Sequence, residues 1–253
     1  MTWVKDVSLL VRFVGNTLKL KFEIPHCETC EARLQSVFSE LSPENVEKLS
    51  LHKGCNFHKP GQVLFREGGF PAGLYCINRG KIKLYKTGRD GKEQIVRLAK
   101  EGDVVGYRSL IGGEPYSASA TVLEDAAICF IPKDTFLSLV RESASFNARV
   151  MEILCHDIAT SERRQLSLAQ RSVKERLAET LLMLKEFYGV EDDGVTIKGT
   201  FTREYLANMV GTATETVIRL LSEFNKKKII ELDHKKIRIP NSSALLHITH
   251  VFD

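Results

Sequence analysis

FTREYLANMVGTATETVIRLLSEF, residues 201–224, holds two helical patterns separated by one glycine. Its second half spaces Val217, Leu220, Leu221 and Phe224 as one apolar face of a 3.6-residue period. Glu215, Ile218, Arg219 and Ser222 take the opposite face. Thr212 followed by Glu215 fits the capping box, in which the two side chains satisfy each other's orphan amides, so a helix is predicted from near Ala213. Upstream, Thr202 caps a first helix, Tyr205, Leu206, Met209 and Val210 face inward, and Gly211 stops it. Two short helices about a glycine-containing turn make a helix-turn-helix.

In that motif the second helix lies in the DNA major groove, with its N-terminal residues at the base edges. Glu215 can accept from a cytosine amino group, and Arg219, one turn on, can bridge guanine O6 and N7. Ile218 is apolar on a face that folding alone would leave polar, and a thymine methyl suits it. The alternative is an αα-hairpin whose Glu215–Arg219 pair is merely solvated.

The 253 residues allow two domains with cores of their own, and 43% hydrophobic with 27% charged residues is a globular balance. A net charge of +4 permits nucleic acid without requiring it. Between Thr214 and Arg238 seven Lys or Arg stand against four Asp or Glu, which agrees with a DNA-facing segment. No apolar run reaches the roughly eighteen residues of a membrane span. Six cysteines are too few for a secreted disulfide scaffold of this length. In residues 1–25 Arg12 interrupts any signal-peptide core, and Gly15-Asn16 could turn a hairpin; no role is assigned to this extension. A cytoplasmic location is expected.

Twelve of the 17 glycines fall between Gly54 and Gly113, among short alternating runs at 63–65, 73–77, 81–85 and 94–98, with a hairpin loop at 87–91. Residues 120–131 supply another strand pair, and the chain turns helical from Lys133. Short strands with glycine turns point to a β-roll or jelly-roll. Nothing in it pairs a nucleophile with a base or forms a P-loop or dinucleotide fingerprint, and His52 and His58 alone cannot make a jelly-roll dioxygenase triad. No catalytic residues are assigned. From about Ser143 to Gln170 a long helix carries Met151, Leu154, Ile158, Ser161, Gln165 and Leu168 at coiled-coil spacing, a dimer seam or else a stripe packed on its own roll. A further helix covers 171–188, and 229–239 reads as a small β-hairpin, or wing, about Asp233-His234-Lys235.

This order of parts resembles the Crp–Fnr superfamily of bacterial transcription regulators over nearly everything from Cys27 onward. The more specific pieces are GLYCINRGKIKLY at 73–85, GDVVG at 102–106 and VGTATETVIRLL at 210–221. The resemblance implies an α+β architecture: a β-roll sensor domain at 26–142, a dimerisation helix at 143–170 and a winged helix-turn-helix at 171–253, after the extension at 1–25. It implies a homodimer on a palindromic site in double-stranded DNA, with RNA polymerase as partner. Glu215 and Arg219 match the pair with which the family reads a TGA-type half-site, while Ile218 stands where Fnr-like members carry serine. Arg203, Thr212, Thr214, Lys226, Lys227 and Lys228 are candidates for phosphate contacts, which position without specifying.

Cyclic-AMP-binding members carry a glutamate and an Arg-Ser pair where this chain has Tyr107 and Tyr116-Ser117, so cyclic AMP is not expected in the usual mode. Fnr itself holds a [4Fe–4S] cluster on four cysteines. Cys27, Cys30 and Cys129 match three of them, and Ser36 falls at the fourth. Serine is a poor ligand for iron beside thiolate, and Cys55 or His26 are the available substitutes. Read without the resemblance, Cys27-x2-Cys30 is a metal half-site or two unligated thiols. A sensor acting mainly through a protein partner is the other reading kept open.

Overall fold

The computed structural model describes residues 25–249; apart from Pro25, the extension at 1–25, with its Gly15-Asn16 turn, lies outside them. A short helix α1 (Glu31–Leu34) and α2 (Pro43–His52), capped by the Ser42 side chain, lead into the β-roll. Its strands are β1 (Gly54–His58), β2 (Val63–Phe65), β3 (Gly73–Arg79), β4 (Ile82–Thr87), β5 (Glu93–Ala99), β6 (Val104–Val105), β7 (Ser119–Val122) and β8 (Ala126–Pro132), with α3 (Tyr107–Gly112) between β6 and β7. They form two four-stranded sheets, ordered β1-β8-β3-β6 and β2-β7-β4-β5.

The alternation of side chains along these strands builds two cores. Ile77, Ile82, Leu84, Ala120, Val122 and Ile128 fill the space between the sheets. On the other face of the first sheet, Leu74, Cys76, Cys129 and Ile131 pack with Phe38, Leu49, Phe136 and Phe146 from the helices. The strands expected at 120–131 exist, but they are not a hairpin. β7 pairs with β2 and β4, while β8 pairs with β1 and β3, so the chain changes sheets at Leu123–Asp125.

Helix α4 (Lys133–Glu142) precedes the long α5 (Ala144–Gln170), whose cap Ser143 accepts from the Phe146 amide. Only Phe146 and Val150 of α5 are buried, while Met151 and Ile158 are 54% and 59% exposed. Ser172 and Glu175 form a complete capping box for α6 (Val173–Tyr188), which buries Leu177, Leu181 and Leu184 and leaves Leu182 half-buried. The C-terminal part contains α7 (Arg203–Val210), α8 (Thr214–Lys226), the antiparallel strands β9 (Glu231–Asp233) and β10 (Lys236–Arg238), and α9 (Ser242–Thr249). Its core joins Leu181, Leu206, Val217, Leu221, Phe224, Ile230 and Ile237, all fully buried. Burying each such side chain stabilises by about 1.5–3 kcal/mol before entropy is subtracted. Tyr85 and Ile95 of the roll belong to the same cluster, so the roll and the C-terminal part share apolar surface.

Candidate nucleic-acid interface

Helix α7 starts and stops where its sequence says. The Thr202 hydroxyl accepts from the Tyr205 amide at 3.0 Å, and Gly211 closes the helix in the left-handed region at φ 74°. Leu206, Met209 and Val210 are buried, whereas Tyr205 is half-buried, its hydroxyl 3.3 Å from that of Tyr188. The capping box predicted for α8 is absent. Ala213 is the N-cap, no side chain caps the helix, and α8 begins at Thr214. Thr212 instead serves the helix before it, its amide donating to Ala207 O at 3.2 Å beside that of Gly211 at 2.9 Å.

Helix α8 is divided as its periodicity requires. Val217, Leu221 and Phe224 are fully buried and Leu220 nearly so, while Glu215, Ile218, Arg219 and Ser222 are exposed together. These four line one shallow open concavity, shared with Lys226. Ile218 is 50% exposed, a large apolar surface offered to solvent amid polar neighbours.

The cations around this face differ in availability. Glu223 accepts from both Lys174 and Lys227 at 2.8 Å, and those bonds hold its carboxyl down at about 2. Lys227 is therefore partly neutralised in place. Lys226 and Lys228 are exposed and carry no ion pair among the described residues, and Lys228, two residues past the helix, lies in the left-handed region at φ 56°. Arg203 is half-buried, one terminal nitrogen donating to the His234 carbonyl at 3.2 Å, so it links α7 to the tip of the β9–β10 wing. Asn225 Oδ1 accepts from the Leu232 amide at 3.1 Å and fixes the wing to α8. Thr212 and Thr214 are half-buried at the turn.

Two side chains hold that turn from outside the motif. Arg176 of α6 donates to Val210 O at 3.1 Å and Gly211 O at 3.4 Å. Gln94 of β5 donates to Asn208 O at 2.8 Å. Neither partner had a local signal in the sequence.

The residues that stand at the cyclic-nucleotide positions do other work. Tyr107 is buried and donates to Asp157 of α5 at 2.6 Å, a carboxylate that also faces Arg97 at 3.3 Å. Tyr116 stacks on Phe65 with ring centroids 4.0 Å apart and donates to Gly73 O at 3.3 Å. A carboxylate for a ribose and a cation for a cyclic phosphate are missing from these positions, so the usual cyclic-nucleotide mode does not fit. Nor does the Fnr-type ligand set fit as arranged. Ser36 is buried, donating to Arg33 O at 2.7 Å and accepting from the Phe38 amide at 3.1 Å, which leaves it committed to a local turn. Arg33 donates to Cys27 O at 2.6 Å and Phe38 O at 2.8 Å, tying that segment down. Among the described residues no group of three or more His, Cys, Asp or Glu is placed to hold a metal ion. Cys27, Cys76 and Cys129 nonetheless share one apolar cluster with Cys55, and Cys30 accepts from Asn78 Nδ2 at 3.2 Å. Burial raises the Cys27 thiol, while the hydrogen bond from Cys129 lowers Cys55.

A β-roll joined by a long helix to a winged helix-turn-helix is the architecture of a DNA-binding transcription regulator. Comparison with known proteins agrees with this. A cyclic nucleotide-binding domain model matches residues 56–143, and a Crp-like helix-turn-helix domain model matches 175–248. The chain is 29% identical over 223 residues to the fumarate and nitrate reduction regulatory protein of Salmonella typhimurium, covering 87% of this chain and 88% of that one. It is 27% identical over 227 residues to the anaerobic regulatory protein of Aggregatibacter actinomycetemcomitans, covering 88% of each. Its fold matches a crp/fnr-family transcriptional regulator from Eubacterium rectale with TM-score 0.70 at 18% identity, over 84% of this chain and 97% of that one. A CRP/FNR-family regulator from Thermus thermophilus matches with TM-score 0.67 at 24% identity, over 78% of this chain and 98% of that one. The chain thus combines a cyclic nucleotide-binding domain with a Crp-like helix-turn-helix domain and is similar over most of its length to transcription regulators of the Crp–Fnr family.

Proposed function

We propose that two copies of this chain pair along α5 and set their α8 helices into successive major grooves about 34 Å apart, reading a palindromic site in double-stranded DNA. The observation that carries this is the division of α8 into a buried apolar face and an exposed face of Glu215, Ile218, Arg219 and Ser222. Glu215 accepts from a cytosine amino group, Arg219 spans guanine O6 and N7, and Ile218 meets a thymine methyl. Ser222 reads at the edge of the same face. Lys226 and Lys228 take phosphates directly, with Lys227, Arg203, Thr212 and Thr214 as further phosphate contacts.

The seam on α5 uses Met151, Leu154, Ile158, Ser161, Gln165 and Leu168. Met151, Ile158 and Leu168 are each at least 46% exposed in the single chain, and a second copy is the partner that would bury them. The reading makes the protein a cytoplasmic, non-catalytic regulator with RNA polymerase as its downstream partner. It divides the chain into a sensor at 26–142, a dimer helix at 143–170 and a DNA-binding domain at 171–253.

Selection of binding sites from a random DNA pool by the purified full chain tests this. Two symmetric half-sites one helical turn apart are expected; equal affinity for every sequence would end the proposal. A second reading, a redox sensor, is favoured by the sulfur-rich face of the β-roll and by relatives named anaerobic regulatory proteins.

A further inference from the structure

Cys129 sits on the central strand β8 with a cysteine directly opposite on each side. Cys55 of β1 and Cys76 of β3 are both its register partners. Side chains opposed in this way on an antiparallel pair hold their Cβ atoms about 4.5–5.5 Å apart, close to the roughly 3.5–4.5 Å of a disulfide. Of the two pairs it is Cys55 and Cys129 whose sulfurs touch, at 2.8 Å. Both are buried, at 8% and 6% exposure, in the apolar cluster between the sheet and the helices. All six cysteines are free thiols in this structure.

We propose that Cys55 and Cys129 form a dithiol that a hydroperoxide converts reversibly into a cross-strand disulfide, giving the β-roll a two-electron redox site of its own. One sulfur, as thiolate, attacks a peroxide oxygen. The S–O bond forms, the O–O bond breaks, and the leaving alkoxide or hydroxide takes a proton to depart as alcohol or water. The second sulfur then attacks the resulting sulfenic acid. An S–S bond forms, the S–O bond breaks, and hydroxide leaves as water with the second thiol's proton. Two thiols lose two electrons and two protons, and the peroxide is reduced to alcohol and water. A thiol reductant reverses the step by exchange. The pairing needs no strand to move out of register, because the sheet already presents the two residues to each other.

The test uses the full chain, freed of reductant and treated with hydrogen peroxide, then alkylated, digested and mapped by mass spectrometry. Expected is a peptide linking Cys55 to Cys129 that dithiothreitol returns to two alkylatable thiols. In Cys129→Ser the Cys55 sulfenic acid should persist and be captured by dimedone. The proposal is overturned if both thiols still alkylate after exposed Cys155 has been fully oxidised. It is equally overturned if Cys129 links to Cys76, or if the purified protein carries stoichiometric iron or zinc on these thiols. The mapping of the unmodified chain decides the matter even if the serine variant does not fold.

Discussion

Gln94 on β5 donates to the carbonyl of Asn208 on α7 at 2.8 Å, joining the sensor roll to the helix-turn-helix across 114 residues of chain. Alongside it, a Cβ on Gly211 would meet Gln94 Oε1 at 3.1 Å and Leu168 Cδ2 at 3.3 Å, so roll, long helix and turn meet at one point. The roll therefore touches the helix-turn-helix directly as well as through α5.

Gln94→Ala should loosen that joint. One net hydrogen bond is worth about 0.5–1.5 kcal/mol, so a fall in stability of about 1 kcal/mol is expected, with faster amide exchange at 207–212 than elsewhere. Unchanged exchange there would show that the bond couples nothing.

Arg219→Ala should cost about 1–3 kcal/mol on the selected site and relax preference at one base pair. Lys226→Ala should instead weaken all sequences alike and reduce the salt slope by about one. Equal loss of affinity for specific and random DNA in Arg219→Ala would remove its base-reading role.

What the sequence makes legible is local. The Thr202 cap, the Gly211 stop and the apolar stripe of α8 each depend on residues within one or two turns, and the structure has all three. Thr212 departs from its predicted role because two helices compete for it, and the closure of α7 takes its amide before α8 begins. The change of sheet between β7 and β8, the row of Cys55, Cys129 and Cys76, and the hold of Gln94 on α7 depend on strand register and packing between distant segments, which hydrophobic period does not encode.

Glu223 gives a prediction in pH. Hydrogen bonds from Lys174 and then Lys227 lower its folded value to about 2 from an ordinary 4.5. A depressed carboxyl contributes stability above its unfolded value and loses it as pH falls through the folded one, so the pairs should persist through pH 4 and open between about 4 and 2. The group is only partly shielded from solvent, and the effect is best seen in its own carbon chemical shift. Replacing both Lys174 and Lys227 with alanine should bring the midpoint back towards 4.5, and an unshifted midpoint would mean the pairs do not form in solution.

The proposed seam on α5 is tested at Ile158, which is 59% exposed and so contributes little to the packing of a single chain. Ile158→Glu should leave the thermal unfolding of the isolated chain nearly unchanged while placing like charges opposite each other in a two-fold seam. Sedimentation should then report a monomer, against the dimer expected of the unaltered chain. Affinity for a palindromic site should drop steeply, because each half-site must be bound alone, whereas affinity for a single half-site should stay the same. Ile158→Leu keeps the apolar volume and should retain both the dimer and the palindrome. A dimer that survives Ile158→Glu would move the interface off this stripe, and the stripe would then have to be accounted for by packing on its own roll.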